Sequence, residues 1–256
     1  MKQRFISFFS ITSITLCLLF SFSCTQQETP QEPVEGGPFQ IIMITDVGGL
    51  GDKGFNDIGW EGCQLAKRRL EERGAACETK VIESVEQTDY ADNLALAAER
   101  ADVVVALGFL MTDAVQQAAE RYPDQPFLIT DGRVEAPNVV SVLFKEEEGG
   151  FLAGLLASFV TNTNVVGVMP GMDIPPVRAF ATGYKAGALT GGALQDSDVK
   201  VLDSTIGSFT DPVKAKTLAH QLLNQDADIL FALAGLSGLG VIKAVEEDEA
   251  RNFVIG

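Results

Sequence analysis

Histidine is nearly absent from this 256-residue sequence, cysteine is scarce, and basic residues are outnumbered. One histidine and four cysteines, none in a CxxC pair, are too few soft ligands for a zinc site, and a histidine-based catalytic triad would have to rest on His220 alone. The 19 Lys and Arg face 35 Asp and Glu, a formal net charge of −16, which repels phosphate backbones and anionic lipid heads. Nucleic acid is thereby excluded as a partner. No Walker A sequence occurs, and GLSGLG misses the nucleophile elbow because Leu239 stands where the last glycine belongs. What is present is globular composition, 46 % apolar and 21 % charged, with length enough for one large or two ordinary domains.

The chain begins with export-signal order. Lys2 and Arg4 precede an uncharged, Phe-, Ile- and Leu-rich stretch from Phe5 to Phe22, and polar, proline-containing sequence follows. Cys24 directly after Ser23 resembles the lipobox of bacterial lipoproteins, with Ser21 standing where that motif usually carries Leu; ordinary signal-peptidase cleavage nearby is the other reading. The expected organisation is a signal peptide at 1–23, acylated Cys24, a flexible tether over 24–38 of roughly 20 Å reach, and a folded body from Phe39. Cys63 and Cys77 are expected as unpaired core residues. Cys63 lies ~15 Å before the end of its helix, too far for a bridge to the following strand.

From Phe39 onward, β-branched runs alternate with amphipathic stretches. Strands are expected near 39–45, 78–83, 102–107, 126–130, 138–143, 164–169, 199–203, 228–233 and 252–256. In the first helix Trp60, Cys63, Ala66 and Leu70 share a face, Asn56 or Asp57 can cap the start, and Gly74 can end it. Near-continuous apolar strands such as VVVAL predict parallel sheets covered on both sides, hence the α/β class. ADVVVALGFLMTDAVQQAAE from Ala101 and ADILFALAGLSGLGVIKAVEE from Ala227 repeat strand, glycine turn and helix at an offset of 126 residues. That duplication predicts two sheets facing a cleft, as an N-terminal lobe at 39–145 and a C-terminal lobe at 146–256.

After the first strand, TDVGGLGDKGFND carries Gly49, Gly51 and Gly54 in a GxGxxG pattern that taken alone suggests a dinucleotide site and an exported NAD-using enzyme. Against it, Asp46 would repel a pyrophosphate, Glu83 lies 29 residues past Gly54 rather than about 20, and an exported protein lacks a NAD pool. Asp46 and Asn56 beside the flat face of Phe55 suit a neutral heterocycle instead. A plain helix cap and a core phenylalanine would explain the same loop equally well.

ITDVGGLGDKGFNDIGWEG, VALGFLMTDAV, FLITDGRV, GMDIPPVRAFATGYKAG and GSFTDPVKAKTLA, in order from Phe39 to Gly256, closely resemble the bacterial basic membrane protein lipoproteins, whose members include purine nucleoside receptors. The resemblance implies a type I periplasmic-binding-protein fold of two Rossmann-like lobes, solute capture for an ABC permease, membrane attachment through lipid, a monomer, no cofactor, no metal and no catalysis. It implies that Phe55 and Phe209 sandwich the purine, Asn56 lies beside Phe55, Asp46 hydrogen-bonds the ligand, Asp131 pairs with the base edge, and Gly235 contacts the sugar through its backbone. A sugar or another small polar solute is the alternative ligand within the class, and a surface adhesin the alternative outside it. The sequence stops at NFVIG, where the family would continue with an Asp-bearing loop and a Lys that bind ribose, so the C-terminal lobe is expected to be incomplete. His220 is expected to be partly exposed and without a role.

Overall fold

The computed structural model describes residues 37–248 and 252–256, which belong to a compact unit over Gly37–Gly256. The expected leader at 1–23, Cys24 and the tether as far as residue 36 lie outside the described residues. Among the described residues, nine strands form two wholly parallel sheets. The first contains β1 (Phe39–Ile44), β2 (Cys77–Ile82), β3 (Val103–Leu107), β4 (Phe127–Thr130) and β5 (Val139–Val142), in the order β2-β1-β3-β4-β5. The second contains β6 (Val165–Pro170), β7 (Lys200–Asp203), β8 (Ile229–Leu233) and β9 (Phe253–Ile255), in the order β7-β6-β8-β9. Its order repeats that of the first four strands, so the sequence repeat is also a repeat of topology. The repeated Ala-Asp pairs do the same work twice. Asp102 accepts from the amide of Gln40 at 2.7 Å, and Asp228 from the amide of Asn162 at 2.6 Å, each pinning the entry to the neighbouring strand.

Helices α1 (Phe55–Glu71), α2 (Tyr90–Ala98) and α3 (Thr112–Arg121) pack on the first sheet around one continuous core in which Met43, Ile44, Leu94, Val104 and Ile129 are fully buried. Cys63 and Cys77 are free thiols within it, as expected, and burial pushes the Cys63 thiol up to about 11. The start of α1 corrects one expectation: neither Asn56 nor Asp57 caps it. The N-cap position is Gly54, and the carboxylate of Asp52 serves instead, accepting from the amides of Gly54 and Asn56 at 2.9 Å. Gly74 does end the helix, at φ +84, a conformation that costs glycine least. No helix separates β4 from β5.

The second sheet is covered on one face by α4 (Glu146–Val160) and α5 (Pro175–Leu194) and on the other by α6 (Pro212–Leu223) and α7 (Gly238–Glu247). The α4–α5 contact is the most extensive between any two described elements. Its cause is a run of glycines at helical spacing, Gly150 and Gly154 on one helix and Gly183, Gly187 and Gly191 on the other. A β-carbon on Gly154 would overlap the carbonyl of Tyr184, and one on Gly187 the carbonyl of Phe151, so the two backbones touch directly.

Gly187→Val forces those backbones apart and is expected to cost about 3 kcal/mol or more, seen as a lower urea midpoint. Gly62, exposed inside α1 with open space around it, supplies the contrast. Gly62→Ala should raise stability by about 0.5–1 kcal/mol, because alanine loses less backbone entropy in a helix.

Candidate functional site

In each sheet the strand order reverses beside the first strand of the half, between β1 and β3 and between β6 and β8. Crevices beyond the carboxyl ends of strands at such points bind ligands in open α/β sheets. Here both crevices open into one cavity of about 450 Å³. Its lining comes from the segments after β1, β3 and β4 on one side and from the segments after β6, β7, β8 and β9 on the other. All six residues singled out in the sequence, Asp46, Phe55, Asn56, Asp131, Phe209 and Gly235, line it.

The glycine loop after β1 is held by carboxylates. Asp46 Oδ1 accepts from the amide of Gly48 at 2.9 Å, Glu83 from Leu50 at 2.8 Å, Asp57 from Gly51 at 2.8 Å and from Lys53 at 3.0 Å, and Asp52 from Gly54 at 2.9 Å. The amide of Gly49 is taken by the carbonyl of Asp46 at 3.2 Å. A dinucleotide loop needs such amides turned toward phosphate oxygens; these are occupied, by groups of the wrong charge for an anion. The dinucleotide pattern therefore describes a turn and not a pyrophosphate cradle.

Asn56, only 1 % exposed, joins loop to helix. Its Nδ2 donates to Asp46 Oδ1 at 2.9 Å and to Asp52 Oδ2 at 3.2 Å, and its Oδ1 accepts from the Asp46 amide at 3.3 Å. With its amide group so engaged, Asn56 orients Asp46. Burial raises the carboxyl of Asp46 above its ordinary pKa, while the hydrogen bonds from Asn56 and Gly48 pull the other way. Gly108, at φ +100 after β3, holds a conformation that favours glycine, and a β-carbon there would be in ordinary contact with both neighbours, 3.4 Å from Cε1 of Phe55 and 3.7 Å from Oδ2 of Asp46. Phe55 itself is 37 % exposed, so a large apolar ring is left at the cavity wall.

Asp131, directly after β4, has φ +59, an unfavourable conformation for a residue with a β-carbon. Its amide is fixed to the carbonyl of Val142 at 2.9 Å. Its carboxyl, half-buried, is pushed up to about 6, first by burial and then by the charge of Glu146 at the start of α4.

On the facing wall Phe209 is 9 % exposed and is seated against Gly171, where a β-carbon would overlap the ring. Buried Ser237 pins its loop, donating from its amide to the Phe209 carbonyl at 2.9 Å and from Oγ to the Ser208 carbonyl at 2.9 Å, while accepting from the Asp211 amide at 2.8 Å. Asp211 in turn caps α6 through the Lys214 amide at 2.8 Å. Gly235 stands at φ +51 with its α-carbon facing Phe209. The rest of this wall is apolar: Ile174, Pro176, Val177, Phe180, Leu233 and Val254. Sequence reading missed these, and missed Lys53 and Phe109. The signal for Phe180 lay in GMDIPPVRAFATGYKAG, where an aromatic follows the helix start by one turn. His220, not among the cavity-lining residues and 3.7 Å from Glu247, is partly exposed as expected.

Residues 39–256 match the family described as ABC transporter substrate-binding protein PnrA-like. The chain is 34 % identical over 245 residues to an uncharacterized lipoprotein of Pyrococcus horikoshii, an alignment covering 93 % of this chain and 59 % of that protein. It is 33 % identical over 205 residues to a protein of Lactococcus lactis named ABC transporter nucleoside-binding protein BmpA, covering 79 % of this chain and 57 % of that one. Among solved structures, an ABC transporter solute-binding protein from Aeropyrum pernix superposes with a TM-score of 0.75 at 32 % identity, over 86 % of this chain and 62 % of that one. The chain thus spans somewhat more than half the length of the curated relatives it matches. Its architecture is the α/β arrangement of type I periplasmic-binding proteins, as the sequence implied.

Because the folded state holds Asp131 with a raised pKa, it binds a proton more tightly than the unfolded chain, and stability declines as pH rises from about 4 through 6. Asp131→Asn removes the charge and should leave the protein more stable than wild type at pH 8 by about 1 kcal/mol, allowing for screening by water in the open cavity. The gap should close by pH 4 in thermal melts followed by circular dichroism.

Proposed function

The chain belongs to the PnrA-like family of ABC transporter substrate-binding proteins, and from that membership we propose that it is an exported lipoprotein that captures a purine nucleoside in the cavity and delivers it to an ABC permease. The observation that carries this reading is the pairing of walls. One offers the ring of Phe55 with the carboxylates of Asp46 and Asp131, and the other offers the ring of Phe209 within an apolar surface. A flat heterocycle with a polar edge satisfies both at once. A sugar, carrying hydroxyls around its whole rim, would leave donors and acceptors unpaired against Ile174, Val177 and Phe180, at a cost of about 1–3 kcal/mol each. The cavity volume of about 450 Å³ falls in the range of small-molecule sites. The name of the Lactococcus lactis relative supports the same ligand class.

In this reading Phe55 and Phe209 lie on the two faces of the base, Asp131 meets its edge, Asp46 oriented by Asn56 accepts a ligand hydrogen bond, and the backbone of Gly235 meets the sugar. The halves at 39–145 and 146–256 act as lobes, and closing the cleft completes the sandwich, so ligand shifts the open–closed population. No step breaks or makes a covalent bond. The protein works as a monomer, held to the membrane by lipid on Cys24 after removal of 1–23, with 24–38 as a tether, and faces the periplasm or the cell exterior.

Titration calorimetry with inosine, guanosine, adenosine, uridine and ribose should give 1:1 heats with the purine nucleosides alone. Equal heats from ribose, or none from any purine, would sink the assignment. Phe55→Ala should weaken purine binding by about 1–3 kcal/mol through loss of one stacking face. Growth with labelled palmitate should mark the wild-type protein and leave Cys24→Ser unlabelled.

A further inference from the structure

The two carboxylates of the cavity are not equivalent. Asp46 has one oxygen committed to Gly48 and Asn56. The carboxyl of Asp131 makes no hydrogen bond or ion pair with any described residue, although it is half-buried and lines the cavity. The backbone behind it is fixed. The backbone is held at φ +59 with its amide on Val142, and the next residue, Gly132, is packed so closely that a β-carbon would sit 2.6 Å from Thr112 Oγ1 and 2.7 Å from Ile129 Cδ1. A half-buried acceptor at a cavity wall with no protein partner is free to pair with a ligand.

Resting on the purine reading above, we propose that Asp131 is the specificity-determining residue of the cavity: as a carboxylate it selects 6-oxopurine nucleosides, and as a carboxylic acid it selects 6-aminopurine nucleosides. The chemistry follows from the donor pattern of the two base edges. A 6-oxopurine carries a hydrogen on N1, which an ionised carboxylate accepts; guanosine adds a second donor on its 2-amino group and can be held by both oxygens. A 6-aminopurine presents a bare N1 beside an amino donor, so an ionised carboxylate places one oxygen against a lone pair. The protonated acid removes that conflict, donating its O–H to N1 and accepting from the amino group. The proton comes from solvent.

The surroundings bring this exchange into the neutral range. From α4, Glu146 adds a like charge, and from the glycine loop Asp46, Asp52 and Lys53 are the charged residues of the cavity lining. Among the described residues, the segments after β3 and β4 add no charged side chain to the lining besides Asp131, and the facing wall adds none. No cation is paired with Asp131 to hold it ionised. With the group titrating at about 6, between pH 7.5 and 5 the ionised fraction falls about tenfold and the protonated fraction rises about thirtyfold.

Calorimetric titrations of wild type and Asp131→Asn with inosine, guanosine and adenosine at pH 5, 6, 7 and 7.5 test this. Wild type should lose about tenfold in affinity for inosine and guanosine over that range as pH falls, and gain about thirtyfold for adenosine. Asp131→Asn, which carries a donor and an acceptor at every pH, should show a ratio of adenosine to inosine affinity that stays flat. A wild-type ratio constant across the range, or an Asp131→Asn ratio that follows the wild-type slope, overturns the inference and leaves the nucleoside reading standing. Absence of purine binding at every pH overturns both.

Discussion

A glycine-rich loop can keep a fixed shape only if its amides find acceptors, and here carboxylates supply most of them. Asp46, Asp52, Asp57 and Glu83 take up five amides between Gly48 and Gly54. The rest of the site depends on this arrangement. It caps α1, which sets the position of Phe55 in that helix's first turn; it fixes Asn56, which orients Asp46; and it fills with negative charge the place where a phosphate-binding loop would offer bare N–H groups. A surplus of acidic residues thus has a local structural use as well as a global electrostatic one.

The duplicated halves have diverged in chemistry while keeping their topology. Both turn from the third strand of their half into a helix through a short 3-10 turn, after Leu107 and after Leu233. The positive-φ glycine sits one position later in the second copy, Gly235 against Gly108. That shift accompanies different neighbours, since Gly108 lies against Phe55 and Asp46 whereas Gly235 lies against Phe209. Every charged side chain of the cavity lining comes from the first half, and the second supplies an apolar wall. The cavity thereby sets a charged, polar wall against an apolar one.

Much of this was legible in the sequence, for identifiable reasons. Inner strands such as β3 and β8 read as apolar runs and shorter β-branched runs marked the edge strands, so all nine emerged from pattern, and the glycine turns marked strand ends that line the cavity. Asp52 did not emerge, because a carboxylate that satisfies amides two to five residues onward has no periodicity to betray it. Asn56 and Asp57 were the better-looking caps only because they stand nearer the amphipathic stretch. Ile174, Val177 and Phe180 read as an ordinary helix entry, and nothing in spacing tells a side chain facing a cavity from one facing a core. The glycines of α4 and α5 were visible at steps of four, and their meaning depended on knowing that the two helices adjoin.

That helix pair has a mechanical consequence. Where side chains separate two helices, rotamer changes give the interface some compliance; where carbonyl meets α-carbon, as at Gly154 and Gly187, no soft degree of freedom is left. α4 begins immediately beyond the segment that leads out of the first sheet, so the second half receives its link to β5 as a stiff strut fused to its own sheet through α5. α4, α5 and the second sheet thereby form one closely packed block, entered from the first sheet through residues 143–145.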